Sequence, residues 1–149
     1  MERAAIDEAT ILKKGINFDN LSFEYCSDRI LDNYEEEGGK PFTGITYELY
    51  DNDRISYYCY YVNGFSEGNF VKFYKDGTIR SISKMKRGQC IEEIEWYQDG
   101  KIKENGIYNC GICISNKKWD EQGNLISEKG GPTESEMLLI KKLSSVHYD

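Results

Sequence analysis

The feature that most constrains the fold of this 149-residue chain is an internal repeat with a period of 23 to 25 residues. The four clearest copies span residues 47–55, 71–79, 94–102 and 117–125. A large side chain recurs at Leu49, Phe73, Trp96 and Trp119, and an aliphatic one at Ile55, Ile79, Ile102 and Leu125, both at spacings of 24, 23 and 23. A weaker copy lies at residues 27–30. Self-similarity at so short a period is typical of stacked supersecondary units.

Each copy has the pattern of a β-hairpin. Asp76-Gly77 and Asp99-Gly100 are dipeptides favoured in two-residue turns, where glycine accepts a positive φ, and Asp53 stands where those copies have glycine. Further turn signals follow at Asn63-Gly64, Arg87-Gly88 and residues 109–111. The sequence therefore predicts a mainly β fold, an antiparallel meander of about five hairpin repeats with short helical ends.

The two ends have the character of caps. Residues 1–20 are predicted to be a lead segment with a short helix from Met1 to about Lys14, followed by the repeat array at 21–128. Residues 129–149 are predicted to hold a linker and a capping helix, because Thr133 and Glu136 have the spacing of a capping box before an apolar run. We expect this helix to cover the exposed edge of the last hairpin.

The charge of the chain is unevenly distributed. The net charge is −7, and residues 21–67 alone carry −7, whereas residues 68–149 carry +1. Such acidity argues against direct nucleic-acid binding, and the absence of a concentrated basic face argues against a membrane surface. Five cysteines with no signal-peptide pattern lead us to expect a cytoplasmic protein with reduced thiols.

The turn pattern Tyr-x-Asp-Gly-x-Ile, the period near 23 and the phrase Lys40-Pro-Phe-Thr-Gly44 resemble the MORN-variant repeats of the YwqK-like antitoxin family. The resemblance covers residues 21–128. It implies an immunity protein that binds and silences a secreted polymorphic toxin in bacterial competition, including contact-dependent growth inhibition. Other repeats of this class form scaffolds that join proteins or contact membranes, which is the alternative function.

Catalysis has little support in the sequence, and we expect neither an enzyme nor a cofactor. The single histidine, His147, lies near the end of the chain, and Glu93 and Glu95 are interpreted as part of a solvated strand face. Cys110 and Cys113 form a CxxC pair, for which free thiols, a metal site and a redox motif are all considered. Free thiols are favoured, since the pair falls at a hairpin turn and has no histidine nearby.

A tyrosine-rich stretch within the acidic half suggests a contact surface. Alternation predicts that Tyr57, Cys59 and Tyr61 share the buried face of Ile55, whereas Tyr58 and Tyr60 face away and either pair across strands or contact a partner. The predicted partner is the C-terminal domain of a cognate toxin with a basic surface, and a nuclease is the predicted activity of that toxin. The predicted binding residues are Glu35, Glu36, Glu37, Glu48, Asp51, Asp53, Tyr58, Tyr60 and Glu67.

Overall fold

A computed structural model describes residues 7–145 of the chain. Within them lie two α-helices and eleven β-strands. The helices are α1 (Glu8–Lys14) and α2 (Glu134–Ser145); the strands are β1 (Ile16–Asn17), β2 (Ser22–Phe23), β3 (Ile30–Leu31), β4 (Gly44–Leu49), β5 (Ile55–Val62), β6 (Phe65–Phe73), β7 (Ile79–Lys86), β8 (Gln89–Trp96), β9 (Ile102–Asn109), β10 (Ile112–Trp119) and β11 (Leu125–Lys129).

The strands confirm the predicted mainly β, antiparallel meander. Strands β4 to β11 are hydrogen-bonded in sequence order in one sheet, each antiparallel to the next. Strand β1, from the segment expected to be only a cap, joins this sheet parallel to β4. Strands β2 and β3 form a separate antiparallel pair.

Two kinds of turn alternate along the meander. At one end of the sheet, Asn63-Gly64, Arg87-Gly88 and Cys110-Gly111 are two-residue turns in which both residues have positive φ. At the other end the loops are longer, so the prediction of two-residue turns at Asp76-Gly77 and Asp99-Gly100 is wrong. In the first of these loops Tyr74 N–H donates to Thr78 O and leaves three residues between them. The reason is that Gly77 N–H donates to Tyr74 O in a tight turn, and Gly77, with a φ of 91°, is the third residue of the loop.

Asp53 takes the left-handed conformation of the glycine it replaces. Its φ is 63°, and its N–H donates to Tyr50 O just as Gly77 N–H donates to Tyr74 O. Aspartate tolerates this region better than most residues do, so the first long loop keeps the geometry of the later ones.

The main core lies on one side of the sheet, which we call the α1 face because Ile11 of α1 packs there. Its buried side chains come from neighbouring strands: Ile55, Tyr58, Val71, Ile82 and Trp96. Tyr58 is only 1% exposed, so the prediction that it points away from the core is wrong. The physical reason is a bulge in β5: Leu49 pairs with Ile55 but Glu48 pairs with Tyr57, and the extra residue Ser56 inverts the alternation.

The same bulge reassigns the other tyrosines of β5. Tyr60 packs half-buried against the core, which also contradicts its predicted outward orientation. Tyr57 and Tyr61 belong to the opposite side of the sheet, which we call the second face. There Tyr57 stacks on Phe70 with ring centroids 5.0 Å apart.

The predicted end helices form in the described residues. Asp7 caps α1 by accepting from Thr10 N–H, whereas residues 1–6 of the predicted helix lie outside the described part of the chain. Helix α2 begins with the predicted capping box, in which Thr133 N–H donates to Glu136 Oε1 and Glu136 N–H donates to Thr133 Oγ1.

Helix α2 does not cover the last strand as expected. It contacts β10, and Leu125 and Ile126 of the edge strand β11 remain 50% and 63% exposed. Lys129 joins the helix to the sheet, since its Nζ donates to both Glu136 carboxylate oxygens and to Cys113 O. That attachment lies at the end of β11 and leaves the start of the strand open.

Candidate protein-binding surface

The predicted acidic site divides into groups at opposite ends of the sheet. Glu35, Glu36 and Glu37 form an exposed 3-10 helix in a segment that is anchored to the turn residue Gly64. Asp51 and Asp53 lie in the loop before β5 and are also exposed. The eight residues of β5 separate that loop from Gly64, a span of about 23 Å for an extended strand. The two acidic groups therefore lie about one strand length apart.

The remaining predicted acids are engaged by the fold. Glu48 is half-buried on β4 and hydrogen-bonds to the Tyr57 side chain. Burial, followed by the Glu48 carboxylate, raises the pKa of Tyr57 well above its ordinary value. Glu67 is half-buried, and its Oε2 accepts a hydrogen bond from Arg87 N–H at 2.9 Å.

The long loops are tied together by a ladder of tyrosine hydroxyls that sequence reasoning missed. Tyr50 donates to Phe73 O at 2.6 Å, Tyr74 to Trp96 O at 2.7 Å and Tyr97 to Trp119 O at 2.8 Å. Each bond joins one loop to the strand end 22 or 23 residues later. The sequence does contain a signal for this ladder, because each of these tyrosines immediately follows the large residue of a repeat copy. Their role in the described loops is structural.

The carboxylate of Asp76 is likewise committed to the loop end of the sheet. Its Oδ1 accepts from Thr78 Oγ1 and Thr78 N–H, and its Oδ2 accepts from Gln98 Nε2. The hydrogen bonds from Thr78 and Gln98 lower the pKa of Asp76 to about 2. Nearby, Asp51 lies 3.2 Å from Lys75 Nζ, so the acids of this rim are largely paired within it.

The 18–43 segment, by contrast, presents aromatic rings and carboxylates to solvent. Phe23, Tyr25 and Tyr34 are 57%, 83% and 60% exposed. The segment holds seven acidic and two basic residues, a net charge of −5 out of the −7 of the chain. Exposed aromatics beside charge are typical of protein recognition surfaces.

A cleft of about 350 Å³ opens where this segment meets the sheet. Its apolar lining consists of Phe18, Phe23, Ile30, Tyr61 and Phe65, and its polar lining includes Asp28, Ser66 and Arg87. Phe18 and Phe23 meet edge to face at 6.0 Å. Apart from Tyr61, none of these side chains belongs to the tyrosine-rich stretch, and the weak repeat copy at residues 27–30 does not by itself indicate a cleft.

Both cysteines of the CxxC pair are free thiols, and so are the other three cysteines. Cys110 occupies the first position of a two-residue turn with a φ of 52°, and Cys113 pairs across the strands with Tyr108. Cys59 is fully buried, and burial raises the pKa of its thiol to about 12.

Glu93 and Glu95 have defined partners on the second face. Ser83 Oγ donates to Glu93 Oε2 at 2.7 Å, and Glu95 lies within 3.7 Å of Arg80 and Lys103. The interpretation of these acids as a merely solvated face is therefore incomplete.

Two kinds of feature are missing from residues 7–145. No group of three or more His, Cys, Asp or Glu side chains is arranged to hold a metal ion in that range. Neither helix in it is long and apolar enough to cross a bilayer. His147 lies outside the described residues.

Comparison with known proteins gives a similarity over part of the chain. Over 62 residues, 42% of the chain, the sequence is 50% identical to a Bacillus subtilis (strain 168) protein named Immunity protein YwqK. The match spans 40% of the length of that relative. No protein-family model and no solved structure matches the chain. The similarity supports the resemblance to YwqK-like proteins.

Proposed function

We propose that this protein is an immunity protein that binds and neutralises a toxin domain in the cytoplasm of the cell that produces both. The observation that carries the proposal is the 50% identity over 62 residues to a protein named as an immunity protein. Inhibition by binding requires shape and charge complementarity rather than catalysis, so the protein acts as a non-enzymatic inhibitor.

The charge of the chain favours a basic toxin, and we propose a nuclease. Enzymes that act on nucleic acid carry positive clefts, and a protein of net charge −7 is attracted to such a cleft over a distance of about a Debye length. The same acidity opposes direct contact of this chain with nucleic acid or with anionic lipid.

The experiment expresses the toxin domain encoded beside this gene, with and without the protein, and measures growth and co-purification. We expect toxicity that the protein relieves by forming a stable one-to-one complex. Its association rate should fall steeply as salt is raised, because electrostatic steering is screened. A harmless neighbour that does not bind would contradict the proposal and favour a scaffold function, in which several partners bind modestly.

A further inference from the structure

The cleft at the 18–43 segment has the composition of an anchor pocket. Four aromatic rings and Ile30 line a space of about 350 Å³, a size within the range of small-ligand pockets. A large apolar side chain of a partner would lose most of its contact with water there. Central pockets of this kind, surrounded by a polar rim, hold the residues that contribute most to protein–protein affinity.

The backbone around this cleft is already ordered. Ile30 N–H donates to Gly64 O, Phe42 N–H donates to Ile30 O, and Gly64 N–H donates to Phe42 O, all within 2.7 to 2.9 Å. Ile30, Leu31 and Phe42 are buried. Gly64 is required at this junction, since its φ is 86° and a Cβ atom would lie 2.3 Å from Arg29 Cγ. A surface ordered before binding loses little conformational entropy when a partner docks.

One carboxylate, Asp28, and one guanidinium, Arg87, line the cleft, and a second arginine, Arg29, is engaged close by. The Arg29 guanidinium lies 4.9 Å from the centre of the Phe65 ring, and its Nη1 lies 3.9 Å from Glu24 Oε2. Glu35 Oε2 accepts from Tyr25 N–H at 2.9 Å, which holds the 3-10 helix against the aromatic part of the segment. Glu36 and Glu37 are exposed beside it.

From these observations we infer that the 18–43 segment is the surface that contacts the toxin. A basic protein docks there, inserts an apolar side chain into the aromatic cleft and places its lysines and arginines against the carboxylates of the segment. This inference rests on the proposed function and deepens it, because it selects one of the two separated acidic groups. Asp51 and Asp53, at the far end of β5, lie outside the contact.

The first arm of the test compares three charge reversals of equal size in neutralisation and in binding kinetics. The variants are Glu36→Lys/Glu37→Lys in the segment, Asp51→Lys/Asp53→Lys in the loop, and the control Glu121→Lys/Glu128→Lys at exposed positions near the other edge of the sheet. We expect the first variant to slow association with the toxin domain about tenfold or more and the other two to leave it within about twofold. Circular dichroism checks that each variant is folded.

An aromatic truncation tests the exposed rings of the 18–43 segment independently of charge. Tyr25→Ala removes an 83% exposed ring, and Leu138→Ala removes a 70% exposed side chain of α2 as its control. We expect Tyr25→Ala to speed dissociation about tenfold, whereas Leu138→Ala should not change it. Neutralisation that survives both segment variants but fails with Asp51→Lys/Asp53→Lys would overturn the inference and leave the immunity function intact.

A second arm needs no toxin. The amide resonances of the protein are followed by NMR during titration with a peptide of one tryptophan and four arginines. We expect the largest shifts at Phe18, Phe23, Tyr61 and Phe65, reduced in Glu36→Lys/Glu37→Lys. If the domain encoded beside this gene proves harmless, this titration still tests whether the 18–43 segment is the binding surface. Shifts confined to the long loops, or no shifts at all, would overturn the inference.

Discussion

Tyr58 shows how one residue sets the interior of this protein. Its ring packs against Tyr60 and Phe73, each with centroids 6.1 Å away, and it is the largest fully buried side chain among residues 7–145. The bulge at Ser56 places it there in preference to Tyr57. Adjacent tyrosines therefore differ in role because side chains alternate between faces and a single extra residue inverts the alternation.

Truncation of Tyr58 tests whether its side chain is buried in the core. We expect Tyr58→Ala to lower the free energy of unfolding by about 3 to 5 kcal/mol, because a large aromatic side chain is removed from a packed core. Urea unfolding followed by circular dichroism gives the value. Tyr25→Ala, at an exposed position, serves as the comparison and should cost less than about 0.5 kcal/mol. Equal losses in the two variants would place Tyr58 at the surface.

Cys110 is a second position where a single substitution should stabilise the fold. It has a φ of 52° in a turn whose counterpart, Asn63, has a φ of 50°. Because asparagine tolerates the left-handed region better than cysteine, we expect Cys110→Asn to raise the free energy of unfolding by up to about 1 kcal/mol. Asn63→Ala should change it in the opposite direction. A loss of stability in Cys110→Asn would show that the 3.6 Å contact of its sulfur with Ser144 Oγ matters more than backbone strain.

At the scale of elements, the long loops act as one connected rim. The hydroxyls of Tyr50, Tyr74 and Tyr97 each satisfy a carbonyl at the end of a strand in the next hairpin. Cations lie over the same rings, Lys75 at 5.8 Å from the Tyr50 centroid and Lys103 at 5.5 Å from that of Tyr97. The rim thus couples successive units beyond the sheet hydrogen bonds.

Removing one rung of this ladder should have a modest and specific effect. We expect Tyr74→Phe to lower the free energy of unfolding by about 1 kcal/mol, since the Trp96 carbonyl loses a donor while the ring remains. Tyr25→Phe is the matched control and should be neutral. An unchanged urea midpoint in Tyr74→Phe would show that water replaces the hydroxyl without cost.

The titration of the Asp76 carboxylate should report on the hydrogen bonds that it accepts in the same rim. Its pKa is lowered to about 2, so the stability that its hydrogen bonds contribute is fully present above the ordinary value of 3.8 and is lost as pH falls through about 2. The measurement is the pH dependence of the Asp76 carboxyl ¹³C resonance. We expect Thr78→Ala to move the midpoint upward, and Thr78→Ser, which keeps the hydroxyl, to leave it in place. A midpoint near 3.8 in the unmodified protein would contradict the observed bonding.

At the scale of the whole molecule, the core is concentrated in the middle of the sheet. The fully buried apolar residues of the main cluster lie on α1 and on β5 to β8, whereas β11 has no buried residue. In an array where each unit contacts only its neighbours, stability is expected to decrease toward the less packed end.

Hydrogen exchange should reveal this gradient. We expect the amides of β6 and β7 to be the most protected and those of β11 to exchange first through local opening, at a free energy below that of global unfolding. Removal of residues 125–149 should leave the exchange of β6 unchanged. If β11 and β6 exchange with the same free energy, the sheet opens as a single cooperative unit and the gradient is absent.

Local physics explains what could be predicted from the sequence. Local interactions determine the repeat spacing, the turn at Asn63-Gly64 and the capping box at Thr133. Because each depends on a few neighbouring residues, it can be recognised in the sequence alone. The mainly β meander follows from them, as does the structural role of the repeated glycines. The ladder tyrosines also recur at the repeat spacing in the sequence, although the hydrogen bonds of their hydroxyls cannot be read from it.

Only the tertiary structure decided which surfaces these elements form. A one-residue bulge assigned Tyr58 to the core, and alternation in the sequence could not show it. Glu37 and Asp51 are close in sequence yet lie toward opposite ends of β5, because the chain between them runs the length of a strand. The aromatic cleft joins Phe18 to Tyr61 and Phe65 across more than 40 residues. Sequence periodicity records how each hairpin is built, whereas long-range packing determines which residues share a surface.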